Sequence, residues 1–141
     1  MKADNTIYLI GRIREKANNL IISELKQLGM REVVPSHGDI LVTLFKYKEL
    51  TMTKIANQIH RDRSTVTTLV NKLMKLGYVE TKKNPEDSRS SLVYLTQKGK
   101  ELESDFIRIS NMIFEIEYKD INEEEKQVFR NVLKKIYDNL P

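Results

Sequence analysis

The sequence predicts an α+β fold, mainly α: a winged helix-turn-helix flanked at both ends by dimerisation helices. Three observations predict it. Residues 52–99 place two short amphipathic helices, a polar turn, a strand, a charged hairpin and a second strand in unbroken order. Apolar residues before and after that stretch recur at helical spacing over long runs. No Pro/Gly-rich linker, internal repeat or low-complexity tract divides the 141 residues, a length that can bury the core of one domain. The expected organisation is one domain over 1–141. Its winged part lies at about 36–99, and its dimerisation helices at about 1–30 and 100–141.

Taken in order, the first helix is expected near Thr6–Leu28, with Ile7, Ile10, Ile13, Ala17, Leu20 and Ile21 on its apolar side. Ser36 is the expected cap of a second helix burying Ile40, Leu41, Leu44 and Phe45. Thr53 is the expected cap of a short third helix whose Ile55, Ala56 and Ile59 point inward. His60 and Arg61 make the turn to the next helix, which Asp62 caps and Gly77 ends in the left-handed conformation. Tyr78–Thr81 alternates like a half-buried strand, Asn84-Pro85-Glu86-Asp87 forms a turn, and Leu92–Leu95 returns as a strand. Thr96 caps a further helix. Leu102, Phe106, Ile109, Ile113 and Ile116 then alternate in steps of four and three, like a coiled-coil seam. Asn122 with Glu125 opens the last helix as a capping box, and Val128, Phe129, Val132, Leu133, Ile136 and Leu140 are expected to turn inward. Such long terminal helices carry surplus apolar surface and suggest a partner.

The helix after Arg61 carries the functional reading. Val66, Leu69, Val70, Leu73 and Leu76 fall on one stripe, which leaves Ser64, Thr67, Thr68, Asn71 and Lys75 facing away and Thr65 and Lys72 flanking. No acid occurs between Asp62 and Leu76, as a surface that meets phosphates requires. Arg61 and Arg63 add cations at its start, Lys82 and Lys83 in the wing. Charge is distributed accordingly. The chain is +4 in all, yet residues 51–100 hold ten Lys/Arg against four Asp/Glu, and residues 101–141 hold six against ten. The positive excess sits on the winged segment, the footprint expected for a polyanion partner.

Other classes fit poorly. There is no cysteine, which excludes a disulfide framework and a thiol redox switch. His37 and His60 are the only histidines, and no Gly-rich phosphate loop, nucleophile elbow or H-x-x-x-H pair occurs, so neither an enzyme, a cofactor nor a metal site is expected. No apolar run approaches the roughly 20 residues of a membrane span and no N-terminal signal pattern is seen, so no membrane partner and a cytoplasmic location are expected. The rival reading is a winged domain that binds protein. The Thr/Asn/Lys face and charged wing favour nucleic acid, because protein interfaces centre on aromatic anchors and are poor in lysine. The absence of stacking aromatics on that face favours duplex DNA over RNA.

At this point the chain resembles a known family. Ser64–Leu73, Lys75–Glu80, Asn84–Arg89 with its Asp-x-Arg pair (Asp87, Arg89), and Leu95-Thr96-Gln97-Lys98-Gly99 are together similar to the MarR family of transcriptional regulators. The resemblance implies a homodimeric repressor on a palindromic operator of double-stranded DNA. It implies that Arg89 enters the minor groove while Asp87 holds the wing. It further implies that Ser64, Thr65, Thr67 and Thr68 read major-groove edges. A small aromatic or anionic effector is also implied, in a pocket lined here by Tyr8, Arg12, His37, Ile40 and Phe106. Two positions depart from the family pattern. Thr81 stands where many relatives have an arginine that pairs with the wing aspartate, and Thr68 where arginine is common.

Overall fold

A computed structural model describes residues 3–141. Among them the elements run α1 (Thr6–Gln27), α2 (Pro35–Tyr47), β1 (Glu49–Thr51), α3 (Met52–Ile59), α4 (Arg63–Lys75), β2 (Val79–Asn84), β3 (Asp87–Leu95), α5 (Gln97–Lys100), α6 (Glu103–Glu117) and α7 (Glu123–Asn139). This is the mainly helical α+β fold, with a small antiparallel sheet, that the sequence predicts. The chain divides into two compact units, one ending at Ile107 and one from Arg108 to Pro141.

The first unit is built on three short helices. Ile40, Leu41 and Leu44 of α2, Ile55 of α3, and Val66, Val70 and Leu73 of α4 are wholly inaccessible, as is Val93 of β3. Each such side chain contributes about 1.5–3 kcal/mol of transfer free energy. The apolar stripe of α4 is therefore fixed inward and its opposite face outward. Leu25, Met30 and Val33 close the core from α1 and the following loop, and Phe106 meets Phe45 edge-on at 5.7 Å between centroids.

Two helix starts differ from expectation. Ser36 does not cap α2. Pro35 occupies its first position, and the residue before a proline is driven to extended backbone, so the cap is Val34 (φ −103°, ψ 166°). Valine has no acceptor side chain, and His37 supplies one by accepting the Val34 N–H on Nδ1 at 3.0 Å. Nor does Thr53 cap α3. Thr51, held extended opposite Leu92, accepts the Lys54 N–H at 3.2 Å, and the helix starts two residues earlier. The strand that fixes Thr51, β1, is three residues long and too short to show an alternation. It pairs with β3 as Glu49↔Tyr94, Leu50↔Val93 and Thr51↔Leu92, giving the sheet order β1-β3-β2.

In the second unit the Asn122 cap forms as expected, with Glu125 N–H donating to Asn122 Oδ1 at 2.8 Å. Lys126 lies over the rings of Phe114 and Tyr118 at 4.8 and 5.1 Å. The expectation that α7 turns its apolar side inward is not met within one chain. None of its residues is buried, and Val128, Phe129, Val132 and Tyr137 are 57, 49, 48 and 70% exposed. One helix hairpin offers no second layer to cover that stripe.

Candidate nucleic-acid interface

The turn before α4 brings its first residues to the surface. His60 adopts the left-handed conformation (φ 56°), and Arg61 reaches back so that its Nη1 donates to Ser36 Oγ at 2.9 Å. Asp62 then caps α4 by accepting the Thr65 N–H at 2.7 Å, and hydrogen bonds from Thr65 hold its carboxyl below the usual carboxylate range. Ser64, Thr68, Asn71 and Lys75 are exposed and Thr65 and Lys72 half-buried at the flanks, as the helical spacing predicts, whereas Thr67, expected to face away, is half-buried. The hydroxyls of Thr67 and Thr68 donate to the Arg63 and Ser64 carbonyls at 3.0 and 3.2 Å. That leaves each Oγ1 a free acceptor lone pair and each methyl group fixed in direction.

The wing is the β2–β3 hairpin, in register from Val79↔Leu95 to Lys83↔Ser91, with an irregularity between Lys83 and Asn84. Arg89 stands on it with its side chain 90% exposed. Asp87 Oδ1 accepts from the Arg89 backbone N–H at 3.0 Å and from its Nε at 3.3 Å. Thr81 is half-buried opposite Val93 and offers Asp87 no cation. Asn84, which the sequence places in the turn, and Ser90, which it does not single out, close the hairpin instead. Asn84 Nδ2 donates to Ser90 Oγ at 2.9 Å, and Asn84 Oδ1 accepts the Glu86 N–H at 3.1 Å. A side-chain amide at a turn is a recognisable signal, but its cross-hairpin partner depends on register.

Two more of the singled-out cations meet acids. Lys72 Nζ lies 3.1 Å from Glu32 in the α1–α2 loop, and Lys82 Nζ lies 2.6 Å from Glu49 across the sheet. The Glu49 hydrogen bond raises the Lys82 pKa, and Lys82 also sits 5.3 Å above the Tyr94 ring. Lys83 is exposed beside it. Glu32 and Glu49 are distant in sequence from the lysines they meet, so no local pattern announces them. His37 is buried, and its pKa is lowered first by that burial and then by the charge of Lys72. Ile40 and Phe106 are packed in the core. Tyr8 and Arg12 stand exposed on α1, with Arg12 held to Glu15 at 2.6 Å. The five residues thus divide into three packed and two exposed. Among the described residues no group of His, Asp and Glu could hold a metal ion, and no helix is long and apolar enough to cross a membrane.

This arrangement of helix, turn, helix and wing can be compared with known proteins. Residues 35–91 match the model of the MarR family. The same architecture recurs in a mutant MarR from E. coli complexed with operator DNA, at a TM-score of 0.83 and 22% identity over the whole of both chains. The winged segment of the chain is thus similar to the MarR family. A MarR protein from Peptoclostridium difficile superimposes at a TM-score of 0.87 with 24% identity, covering 99% of this chain and 89% of that one. The HTH-type transcriptional regulator SarZ of Staphylococcus haemolyticus is 28% identical over 100 residues, 71% of this chain and 67% of that protein. The organic hydroperoxide resistance transcriptional regulator of Bacillus subtilis is 30% identical over 88 residues. That stretch is 62% of this chain and 59% of the relative. Both of these relatives are named transcriptional regulators.

Proposed function

We propose that this chain is a MarR-family, sequence-specific transcriptional regulator that binds duplex DNA as a homodimer and represses from a palindromic operator. One observation carries the reading. The exposed face of α4, Met74 apart, is polar and free of acids, and it belongs to the same unit as a wing whose arginine is almost fully exposed. An α-helix fits the major groove, and a guanidinium suits the enhanced negative potential of a narrow minor groove. Ser64, Thr65, Thr67, Thr68 and Asn71 are the base-reading set, and Arg61, Arg63, Lys72, Lys82 and Lys83 the phosphate set. Arg89 is the minor-groove residue, with Asp87 holding it.

The dimer rests on the apolar side chains that one chain leaves uncovered, Ile7 and Ile13 of α1 and Val128, Phe129 and Val132 of α7. Two reading helices related by a two-fold axis meet half-sites about 34–36 Å apart, one helical turn of DNA. A small aromatic or anionic effector releases the DNA, and exposed Arg12 and Tyr8 are its first contacts. His37, Ile40 and Phe106, already packed, respond behind them. Such a ligand acts only by binding the released state more tightly than the bound one.

Selection of duplexes from a randomised pool, followed by mobility shift, tests the regulator. A recovered site with two related halves supports it. Recovery of no sequence above the random background contradicts it. Titration of salicylate into the protein–duplex complex, with Arg12→Ala beside wild type, tests the effector. Release by wild type but not by the variant is the expected outcome, and equal release removes Arg12 from the site.

A further inference from the structure

The segment after the wing points back at the end of the reading helix, and its sequence motif takes on a physical meaning there. Helix α4 ends at Lys75, with Leu76 as its last helical turn residue and Gly77 left-handed at φ 86°. Its final carbonyls lack intrahelical donors and need partners. Gly77 N–H donates to Met74 O and Tyr78 N–H to Leu73 O, each at 3.0 Å, which serves the last turn itself. The carbonyls of Leu76, Gly77 and Tyr78 are served from residues 96–98. Lys98 Nζ donates to Leu76 O at 2.9 Å, Thr96 Oγ1 to Gly77 O at 2.6 Å, and Thr96 N–H to Tyr78 O at 3.1 Å.

The remaining parts fix this clasp. Gly99 N–H donates to Thr96 Oγ1 at 3.1 Å, which orients the hydroxyl hydrogen toward Gly77 O. A Cβ on Gly99 would lie 2.1 Å from Tyr78 O, so no other residue fits without moving the backbone there. The Lys98 chain runs over Gly77, and its ammonium lies 4.7 Å from the centre of the Tyr78 ring. A cation at a helix C-terminus also meets the negative end of the helix dipole.

We infer that Lys98 is a positioning residue of the reading helix and not a phosphate contact, and that Thr96, Lys98 and Gly99 together set how α4 is held against the wing. By charge alone Lys98 would be counted with the DNA-facing cations of residues 51–100. Its geometry spends that charge on the carbonyls behind α4. The inference rests on the DNA-binding reading above, and its test separates the two.

Wild type, Lys98→Met, Lys98→Arg, Thr96→Val and Arg89→Met are titrated with a duplex selected by the wild-type protein and with a random duplex, each over a range of salt. If wild type shows no preference for its selected duplex, the DNA-binding reading itself fails. Given wild-type preference, Lys98→Met should weaken the selected duplex by about tenfold, from loss of a charged hydrogen bond, and leave the salt slope unchanged. Lys98→Arg should restore the affinity, because its guanidinium also donates. Arg89→Met should lower the slope by about one, as loss of a phosphate-neutralising cation does. Amide exchange on the free protein adds a readout without DNA: Thr96→Val should expose the Gly99 N–H to faster exchange. A Lys98→Met slope lowered by about one, with both duplexes weakened equally, overturns the inference, as does unchanged affinity for both.

Discussion

Lys72 and Lys82 each face a carboxylate in the free protein, so a phosphate that recruits them must first displace Glu32 or Glu49. Exposed ion pairs contribute at most about 1 kcal/mol, and Glu32→Gln should therefore tighten DNA by about two- to fivefold without changing base preference. A fluorescence anisotropy titration reads this, and weaker binding would show that Glu32 orients Lys72 rather than masking it. Arg89→Ala should cost about tenfold or more and reduce the salt slope, since the side chain is exposed and makes no core contact. His37 supports a prediction about pH. Its folded pKa lies below the ordinary 6.5 because burial and Lys72 disfavour the imidazolium. The unfolded chain therefore takes up the proton first, and the stability that neutral His37 contributes is full above about pH 6.5 and declines as pH falls through its lowered value. His37→Gln keeps an acceptor for Val34 N–H and should flatten the thermal stability profile between pH 7.5 and 5 relative to wild type. Asp39, raised by desolvation against the pull of Arg14 and Arg61, acts with the opposite sign. Comparing the variant with wild type isolates the histidine. Of these residues, the outward set on α4 is legible from spacing alone, because a 3.6-residue period fixes a face. Glu32, Glu49 and Ser90 are not, because their roles depend on contacts between segments distant in sequence or on hairpin register.

At the scale of elements, the starts and stops with a single strong local signal are where the sequence places them. Asp62 caps α4, Gly77 ends it, Thr96 caps α5 and Asn122 caps α7. Where two signals compete, the covalently stricter one wins: Pro35 overrides Ser36, and pairing of Thr51 with β3 overrides Thr53. Asp62→Ala should lower the midpoint of a denaturant melt, because the first turn of α4 loses its cap. It should also weaken DNA, because the first turn of α4 carries Ser64 and Thr65. Full stability with full affinity would show that the Asp62 cap is dispensable. The wing replaces the arginine pairing that Thr81 cannot make with the Asn84–Ser90 bond and the local Asp87–Arg89 pair. Asn84→Ala should therefore loosen the hairpin tip and weaken DNA while the core of the first unit melts unchanged.

The whole molecule separates its chemistry along the chain. Residues 51–100 are net basic and residues 101–141 net acidic, so attraction for a polyanion is greatest over the winged part. The long terminal helices are legible as helices, but not the fate of their apolar sides, because periodicity names a face without naming what covers it. Exposed Val128, Phe129 and Val132 on α7 are the clearest case. Phe129→Glu should shift sedimentation equilibrium toward monomer, and an unchanged dimer would place the interface elsewhere. The central claim is that the α4 face and the wing read a specific duplex. The most direct measurement of it is the equilibrium affinity of wild type for its selected duplex and for a random duplex across a salt series. The account predicts log K falling linearly with log salt for both, at a slope of about −0.9 for each phosphate neutralised, and a preference of about 10³-fold or more for the selected duplex. Equal affinity for the two duplexes near physiological salt would contradict it.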